Sequence, residues 1–179
     1  MHSDSEIIEL LLSRKKAGLL NPDDPLLQGN NAPLSSDKIA EAETKLEFEL
    51  PPLLHRIYSE IANGGFGESY GFLGLLGGPL NEDGDDAVTL YLNAHRADPE
   101  DKYWNWPTGL LPIVHLGCAM FQCVQCNDPN LPVIWFEPNV HDFRETWEKS
   151  FIPFSPSLSS YISAWLNEED LWAEFMGDQ

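Results

Sequence analysis

The strongest constraint on the fold of this chain is a pair of helix-breaking signals in its first half. Pro51-Pro52 prevents a preceding helix from continuing, because proline lacks a backbone N–H and restricts the residue before it. The same prolines can open a new helix, since no intrahelical hydrogen bond is lost in its first turn. Asn63-Gly64-Gly65 then ends that helix, because glycine adopts positive φ without strain. We therefore predict a short buried helix between the two signals, and positive φ at Gly64, Gly65 or both.

An additional helix is predicted near the start of the chain, over residues 4–18. Ser3 and Glu6 have the spacing of a capping box, and Gly18 stands where a C-cap is expected. Residues 21–34 are rich in turn formers and indicate a loop. A loop of this kind leaves open whether the first helix packs on the domain or forms a detachable arm.

In the middle of the chain the sequence pattern changes from one typical of helices to one typical of extended segments. A second helix is predicted from Ser35 or Ser36 to about Phe48, where the prolines end it. From Phe66 onward glycines alternate with apolar residues, which indicates an extended segment with tight turns. Beyond it the pattern predicts a helix over Ala87–Arg96 and a loop over Ala97–Trp106.

The second half of the chain predicts a sheet closed by a final helix. Short apolar runs bounded by turn residues are typical of strands, and there are three of them: Leu110–Leu116, Ala119–Gln125 and Val133–Glu137. Apolar residues between Leu158 and Leu166 follow helical spacing. We therefore predict one α+β domain over residues 1–179, with a central, mainly antiparallel sheet flanked by helices. Its parts are an N-terminal helix (1–20), a core (34–140) and C-terminal helices (155–176).

Charge and cysteine content exclude several classes of function. Ten Lys and Arg residues stand against 29 Asp and Glu residues, which gives a net charge of −19. Such a surface repels phosphate backbones and anionic lipid headgroups, so we expect no direct nucleic-acid or membrane binding. It suits a basic partner, or it serves only solubility. An odd number of cysteines argues against a secreted disulfide framework, and we expect a cytoplasmic protein.

The candidate catalytic and metal-binding residues do not form a convincing site. Cys118, Cys123 and Cys126 offer half of a zinc site at most, and strand parity would point Cys118 and Cys123 to opposite faces. His115 with Cys118 imitates a nucleophile and its base, but the same parity separates them. Glu137, His141 and Asp142 are more typical of a solvated turn. We expect no enzyme activity, no cofactor, no bound zinc and no disulfide.

An ordered set of motifs resembles the SUKH superfamily. The set consists of an acidic-apolar helix (39–49) ending in Leu50-Pro51, a second helix (53–61), and the turn Asn63-Gly64-Gly65 leading into the sheet. Later matches to the bacterial branch are Trp106-Pro107, Leu110-Leu111-Pro112-Ile113, Gly117-Cys118 and Val133. Glu47 departs from the pattern, because many members carry glycine there. The matching residues are structural, so the resemblance implies a fold and a mode of action but no catalytic site.

The resemblance implies action by binding. Bacterial members include immunity proteins that neutralise polymorphic toxins, often nucleases, and fungal members regulate cell-wall assembly. A basic toxin is therefore the expected partner. The alternative is a regulatory or scaffold module, and a small-molecule or metal-dependent enzyme is a third class; the oligomeric state is left open. Acids interleaved with aromatic residues are the candidate partner contacts, and packing in the core or in a loop is the alternative role of the aromatic ones. The candidates are Glu82, Asp83, Asp85, Asp86, Asp98, Glu100, Asp101, Tyr103, Trp104 and Trp106.

Overall fold

The computed structural model describes residues 2–20, 31–142 and 145–171, and places a four-stranded antiparallel sheet among five α-helices within them. The predicted α+β class is confirmed. The helices are α1 (Asp4–Ala17), α2 (Ser36–Leu46), α3 (Pro52–Arg56), α4 (Ala87–Ala94) and α5 (Leu158–Leu166). The strands are β1 (Leu110–Gly117), β2 (Met120–Gln125), β3 (Val133–Phe136) and β4 (Phe151–Ser155). A π-helical turn, Ile57–Ile61, extends α3, and 3-10 turns occupy Pro138–Val140 and Trp147–Ser150.

The sheet is a meander in which each strand pairs with the next, in the order β1-β2-β3-β4. The three predicted strands are confirmed as neighbours, and the pairing places Phe121 directly opposite Phe136. The fourth strand is absent from the sequence prediction. Pro153 lies within it, and proline is tolerated in a sheet mainly on an edge strand, where its missing N–H disrupts no ladder. β4 forms such an edge in the described sheet.

The two helix-breaking signals act as predicted. Pro51 is the N-cap of α3 and Pro52 is its first residue. Gly64 and Gly65 both have positive φ, 77° and 76°. The buried side chain of Asn63 accepts a hydrogen bond from the Leu75 N–H at 2.8 Å. Its Nδ2 donates to the carbonyls of Leu76 and Gly77, so the turn fixes the glycine-rich segment to the end of the helix.

The first helix is an integral part of the core, so the possibility of a detachable arm is wrong. Ile7, Ile8 and Leu11 are completely buried, because α1 packs on the π-helical turn and on α5. The Arg14 guanidinium donates to the Leu166 carbonyl at 2.6 Å. The capping box of α1 is present, and Gly18 has φ 71° at its C-cap, as predicted.

Three sequence predictions fall partly outside the described residues. These are the N-terminal helix over 1–20, of which residue 1 is not described, the loop over 21–34, of which 21–30 are not described, and the C-terminal helices over 155–176, of which 172–176 are not described. Within the described ranges, no helix is both long and apolar enough to cross a bilayer.

Gly64 offers a test of the turn. A Cβ on Gly64 would lie 2.6 Å from backbone atoms of Leu73 and Phe72, whereas one on Gly77 would meet nothing within 4 Å, at a similar φ of 70°. We expect Gly64→Ala to lower the free energy of unfolding by about 2 kcal/mol or more, and Gly77→Ala by roughly 1 kcal/mol from backbone strain alone. Urea unfolding of both variants measures the difference, and equal losses would contradict the steric argument.

Glu47 offers a test of the end of α2, which stops at Leu46 rather than near Phe48. Glu47 is the C-cap at φ 62°, a left-handed conformation that costs a non-glycine residue about 1–2 kcal/mol. Glycine relieves this strain, but the greater conformational entropy of the unfolded chain lowers the free energy of unfolding by about 0.4–1 kcal/mol. We expect Glu47→Gly to stabilise the protein by roughly 0.5 kcal/mol in urea unfolding. Exposed Glu49, which lacks positive φ, is the control, and Glu49→Gly should be destabilising.

Candidate protein-binding site

A surface cleft of about 380 Å³ lies beside α4, over β2 and β3, and we call it the α4 cleft. Its lining combines buried rings with exposed charged residues. The buried lining residues are Asn81, Trp106, Phe121 and Phe136, and the half-buried ones are Leu90, Asn93, Ala94 and Trp104. The exposed ones are Asp83, Arg96, Ala97, Asp98, Pro99 and Ala119. The cleft thus has an apolar interior and a charged border.

The tryptophans of the cleft are held in fixed positions. The Trp104 Nε1–H donates to the Ala94 carbonyl at 2.7 Å, and the Trp106 Nε1–H donates to the Leu110 carbonyl at 2.8 Å. Trp106 packs edge-on against Phe136 with 4.9 Å between ring centroids, and Trp104 packs edge-on against Trp147 at 4.7 Å. Because their polar N–H groups are satisfied by backbone carbonyls, the rings present apolar surface in one arrangement. Trp106 is mainly a core residue, whereas Trp104 remains half-exposed.

The acidic loop 81–86 is built by its own side chains. Asn81 Oδ1 accepts hydrogen bonds from the backbone N–H groups of Asp83 and Asp85, at 3.1 and 2.8 Å. Asp86 is buried and caps α4 by accepting from the Thr89 N–H, and it also accepts from the Gly77 N–H. Both carboxylate oxygens of Asp86 are therefore engaged in hydrogen bonds within the fold.

Glu82 joins the acidic loop to the turn between β1 and β2. It pairs with His115 Nε2 and accepts from the Ala119 N–H at 3.0 Å. The Ala119 hydrogen bond and, to a lesser extent, His115 lower the pKa of Glu82. His115 is buried between the rings of Tyr70 and Phe121, at centroid distances of 5.1 and 5.6 Å. Glu82 consequently holds the border of the cleft in place.

Asp101 performs a similar task at the other end of the cleft. It accepts from the Tyr103 backbone N–H at 2.9 Å and from the Trp147 Nε1–H at 2.7 Å, with His141 Nε2 at 3.5 Å. These groups lower its pKa, the Tyr103 hydrogen bond most. Since Trp147 packs on Trp104, Asp101 fixes the segment that supports the cleft.

The cysteines occupy positions that differ from the strand-parity prediction. Cys118 is not on a strand: it is exposed in the β1–β2 turn at φ 53°, between Gly117 and Ala119, which also have positive φ. That turn lets β1 and β2 form a hairpin, so parity does not relate Cys118 to Cys123 or His115. Burial raises the pKa of the Cys123 thiol well above its usual range and that of Cys126 to about 12. Both are protonated at neutral pH and are poor nucleophiles. Among the described residues, no group of three or more His, Cys, Asp or Glu is placed to hold a metal.

The family of the protein follows from a comparison with known sequences. A family model described as the SMI1 / KNR4 family (SUKH-1) matches residues 33–164, well over half of the chain. The chain belongs to the SUKH-1 family. No curated protein matches the sequence significantly.

Membership of the SUKH-1 family confirms the resemblance drawn from the motifs and places the chain among immunity and regulatory proteins, which act through protein–protein interaction. The match spans α2 to the greater part of α5 and includes the whole sheet. Helix α1 of this SUKH domain lies outside it, although its apolar stripe is buried in the same core.

The SUKH fold brings some of the predicted contact residues together and disperses the others. Asp83, Asp98, Trp104 and Trp106 meet at the α4 cleft. Asp85 accepts from Asn93 Nδ2, and the exposed residues Glu100 and Tyr103 lie outside the cleft lining.

Sequence reasoning missed the other lining residues of the cleft, and the most informative of these are Asn81, Phe121 and Phe136. The sequence does indicate a turn at Asn81 and alternating inward and outward residues on the strands. It does not reveal the pairing register of β2 and β3, which sets the rings of Phe121 and Phe136 side by side.

Asp101 predicts a pH dependence of stability. Its pKa is lowered in the folded state, so its contribution is present above the unfolded value of about 4 and is lost as the pH falls through the folded value. We expect Asp101→Asn to be less stable than wild type at pH 7, with the difference narrowing below about pH 4. Urea unfolding at both pH values measures this. Asp37→Asn, at an exposed acid on α2, is the control, and a pH-independent deficit in Asp101→Asn would contradict the electrostatic role.

Proposed function

We propose that this SUKH domain is an immunity-type protein that neutralises a basic protein toxin by binding it at the α4 cleft. The observation that carries the proposal is the combination of an apolar cleft with two exposed carboxylates, Asp83 and Asp98, on its border. A partner with an apolar side chain beside positive charges is complementary to that combination. Action by binding also agrees with the family to which the chain belongs.

The net charge of −19 supports a basic partner. Opposite charges steer two proteins together and raise association rates by roughly 10- to 1,000-fold at low salt. A nuclease is the class of toxin that we favour, because an enzyme that holds phosphates needs a basic surface. We place this encounter in the cytoplasm, as expected from the odd number of cysteines.

Charge alone does not hold such a complex together. Nanomolar affinity corresponds to about −12 kcal/mol, and exposed ion pairs contribute little of it. Buried aromatic anchors in pockets supply most of the binding energy in tight complexes. The α4 cleft offers a pocket whose rings are fixed before binding, so little side-chain entropy is lost there.

The alternative is a regulatory or scaffold role with a cellular partner. The matching family model supports it, since its description names SMI1 and KNR4, and fungal members of the superfamily regulate cell-wall assembly. The two roles differ in the partner and not in the mode of action. The partner's identity therefore decides between them.

Co-expression with each protein encoded beside this gene tests the proposal. We expect one neighbour to be captured in a pull-down and to be toxic to the host unless this protein is co-expressed. Capture without toxicity would favour the regulatory role. If no neighbour is captured and none is made harmless by co-expression, the immunity proposal is overturned.

The border acids predict a kinetic effect on that complex. We expect the double variant Asp83→Lys with Asp98→Lys to associate severalfold more slowly at low salt, with a flatter dependence of the rate on salt, because steering is lost. The matched control reverses two exposed acids away from the cleft, Glu9→Lys with Glu49→Lys, and changes the net charge equally. Surface plasmon resonance at several salt concentrations measures both. Equal slowing in the two variants would assign the effect to net charge and contradict a role of the cleft border.

A further inference from the structure

The side chain of Asn81 has a buried hydrogen-bond donor that lacks an acceptor among the described residues. The residue is only 7% exposed, and its Oδ1 accepts from the backbone N–H groups of Asp83 and Asp85. These two hydrogen bonds fix the orientation of the amide, so the other end of the side chain is the Nδ2 donor. Within the described part of the chain, this Nδ2 has no hydrogen-bond partner. A buried donor left unpaired is costly, so an acceptor that reaches it, whether a water or a ligand atom, is favoured.

The surroundings of Asn81 define what such a ligand looks like. Asn81 lines the α4 cleft together with the apolar rings of Trp106, Phe121 and Phe136. A polar donor among apolar walls suits a ligand with a carbonyl oxygen next to a large apolar side chain. A peptide segment that contains one large apolar residue has both groups.

The charges at the border restrict the ligand further. Asp83 and Asp98 are exposed on the lining, and Arg96 is the one cation among the lining residues that the structure describes. Their combined charge is negative, in agreement with the net charge of the chain. Positive side chains on either side of the apolar one are therefore favoured.

We propose that the α4 cleft binds one large apolar side chain of a protein partner, flanked in the partner's sequence by lysine or arginine. Asn81 Nδ2 is covered in the unbound domain, so a small shift of the acidic loop on binding exposes it and lets it donate a hydrogen bond to the backbone carbonyl at that position. The flanking cations pair with Asp83 and Asp98. This inference rests on the proposed function for the kind of partner, and adds the short recognition element. The cleft volume of about 380 Å³ is near the lower end of the roughly 300–1,000 Å³ found for ligand pockets, as expected for a site that takes a side chain.

Short peptides test this without knowledge of the partner. The probes are capped pentapeptides with the central sequences Lys-Trp-Lys, Lys-Ala-Lys and Glu-Trp-Glu, titrated into the ¹⁵N-labelled full chain. The side-chain N–H signals of Trp104 and Trp106 report on the cleft. The signal of Trp165, which lies on α5 and outside the cleft lining, is the internal control. We expect Lys-Trp-Lys to shift the first two signals with a dissociation constant of about 1 mM, and the other peptides to bind at least about fivefold more weakly. No shift at about 5 mM, or equal binding of all three peptides, would overturn the proposal.

Two variants locate the binding. Ala97 is exposed on the cleft lining, so Ala97→Phe should fill the cleft and abolish the shifts, whereas Ala40→Phe on the exposed face of α2 should not. Asn81→Asp keeps the acceptor for Asp83 and Asp85 but removes the donor. At 1 M NaCl, where the Debye length is about 3 Å, we expect it to bind Lys-Trp-Lys about two- to tenfold more weakly. If Asn81→Asp does not fold, Ala97→Phe still decides whether the cleft is the site.

The outcome separates this inference from the proposed function. Peptide binding that Ala97→Phe abolishes, without a toxic neighbour, supports the recognition element and overturns the immunity role alone. Conversely, a toxic neighbour that binds Ala97→Phe as tightly as the wild type overturns the recognition element and the α4 cleft as the binding site, and leaves only the immunity role intact.

Discussion

The buried side chain of Asn63 links the helical half of the domain to the cleft. Its three hydrogen bonds hold Leu75, Leu76 and Gly77 against the end of the π-helical turn. That segment in turn positions the start of α4, because Gly74 and Leu75 accept from the first N–H groups of the helix and Gly77 donates to its N-cap, Asp86. The wall of the α4 cleft therefore depends on a polar contact made within the core. An unpaired polar group at Asn63 would cost about 1–3 kcal/mol, whereas one hydrogen bond contributes about 0.5–1.5 kcal/mol.

The acidic residues of the domain have two roles. Glu82, Asp86 and Asp101 accept backbone or side-chain hydrogen bonds that hold loops in place. Asp83 and Asp98 lie exposed at the border of the cleft. The acidic residues of the sequence thus include some that hold the loops in place and some that are exposed at the cleft, where a partner can contact them. Composition alone cannot separate the two roles, because they depend on where the fold places each carboxylate; Asp98 has both, since it accepts from the Glu100 N–H at 2.8 Å and lines the cleft.

Local signals in the sequence predict much of this fold. The capping box at Ser3 and Glu6, the prolines that open α3 and the positive φ at Gly64 and Gly65 are each set by a few neighbouring residues, so all were readable. The edge strand β4 was not, since Pro153 masks its pattern. The cleft depends on long-range register, which pairs Phe121 with Phe136, and on the unpaired donor of Asn81, which only the tertiary structure reveals.

Helix α1 bears on where this domain can be cut. It lies outside the region that the family model matches, yet its contacts join it to the far end of the chain: the His2 N–H donates to Ser163 Oγ at 3.0 Å, and Ser159 Oγ donates to Asp4 Oδ1 at 2.7 Å. A fragment trimmed to the family boundaries would lose Ile7, Ile8 and Leu11 and leave an apolar face on α5 open to water. Bare faces of this kind self-associate. An expression fragment of this domain should therefore begin before the first helix.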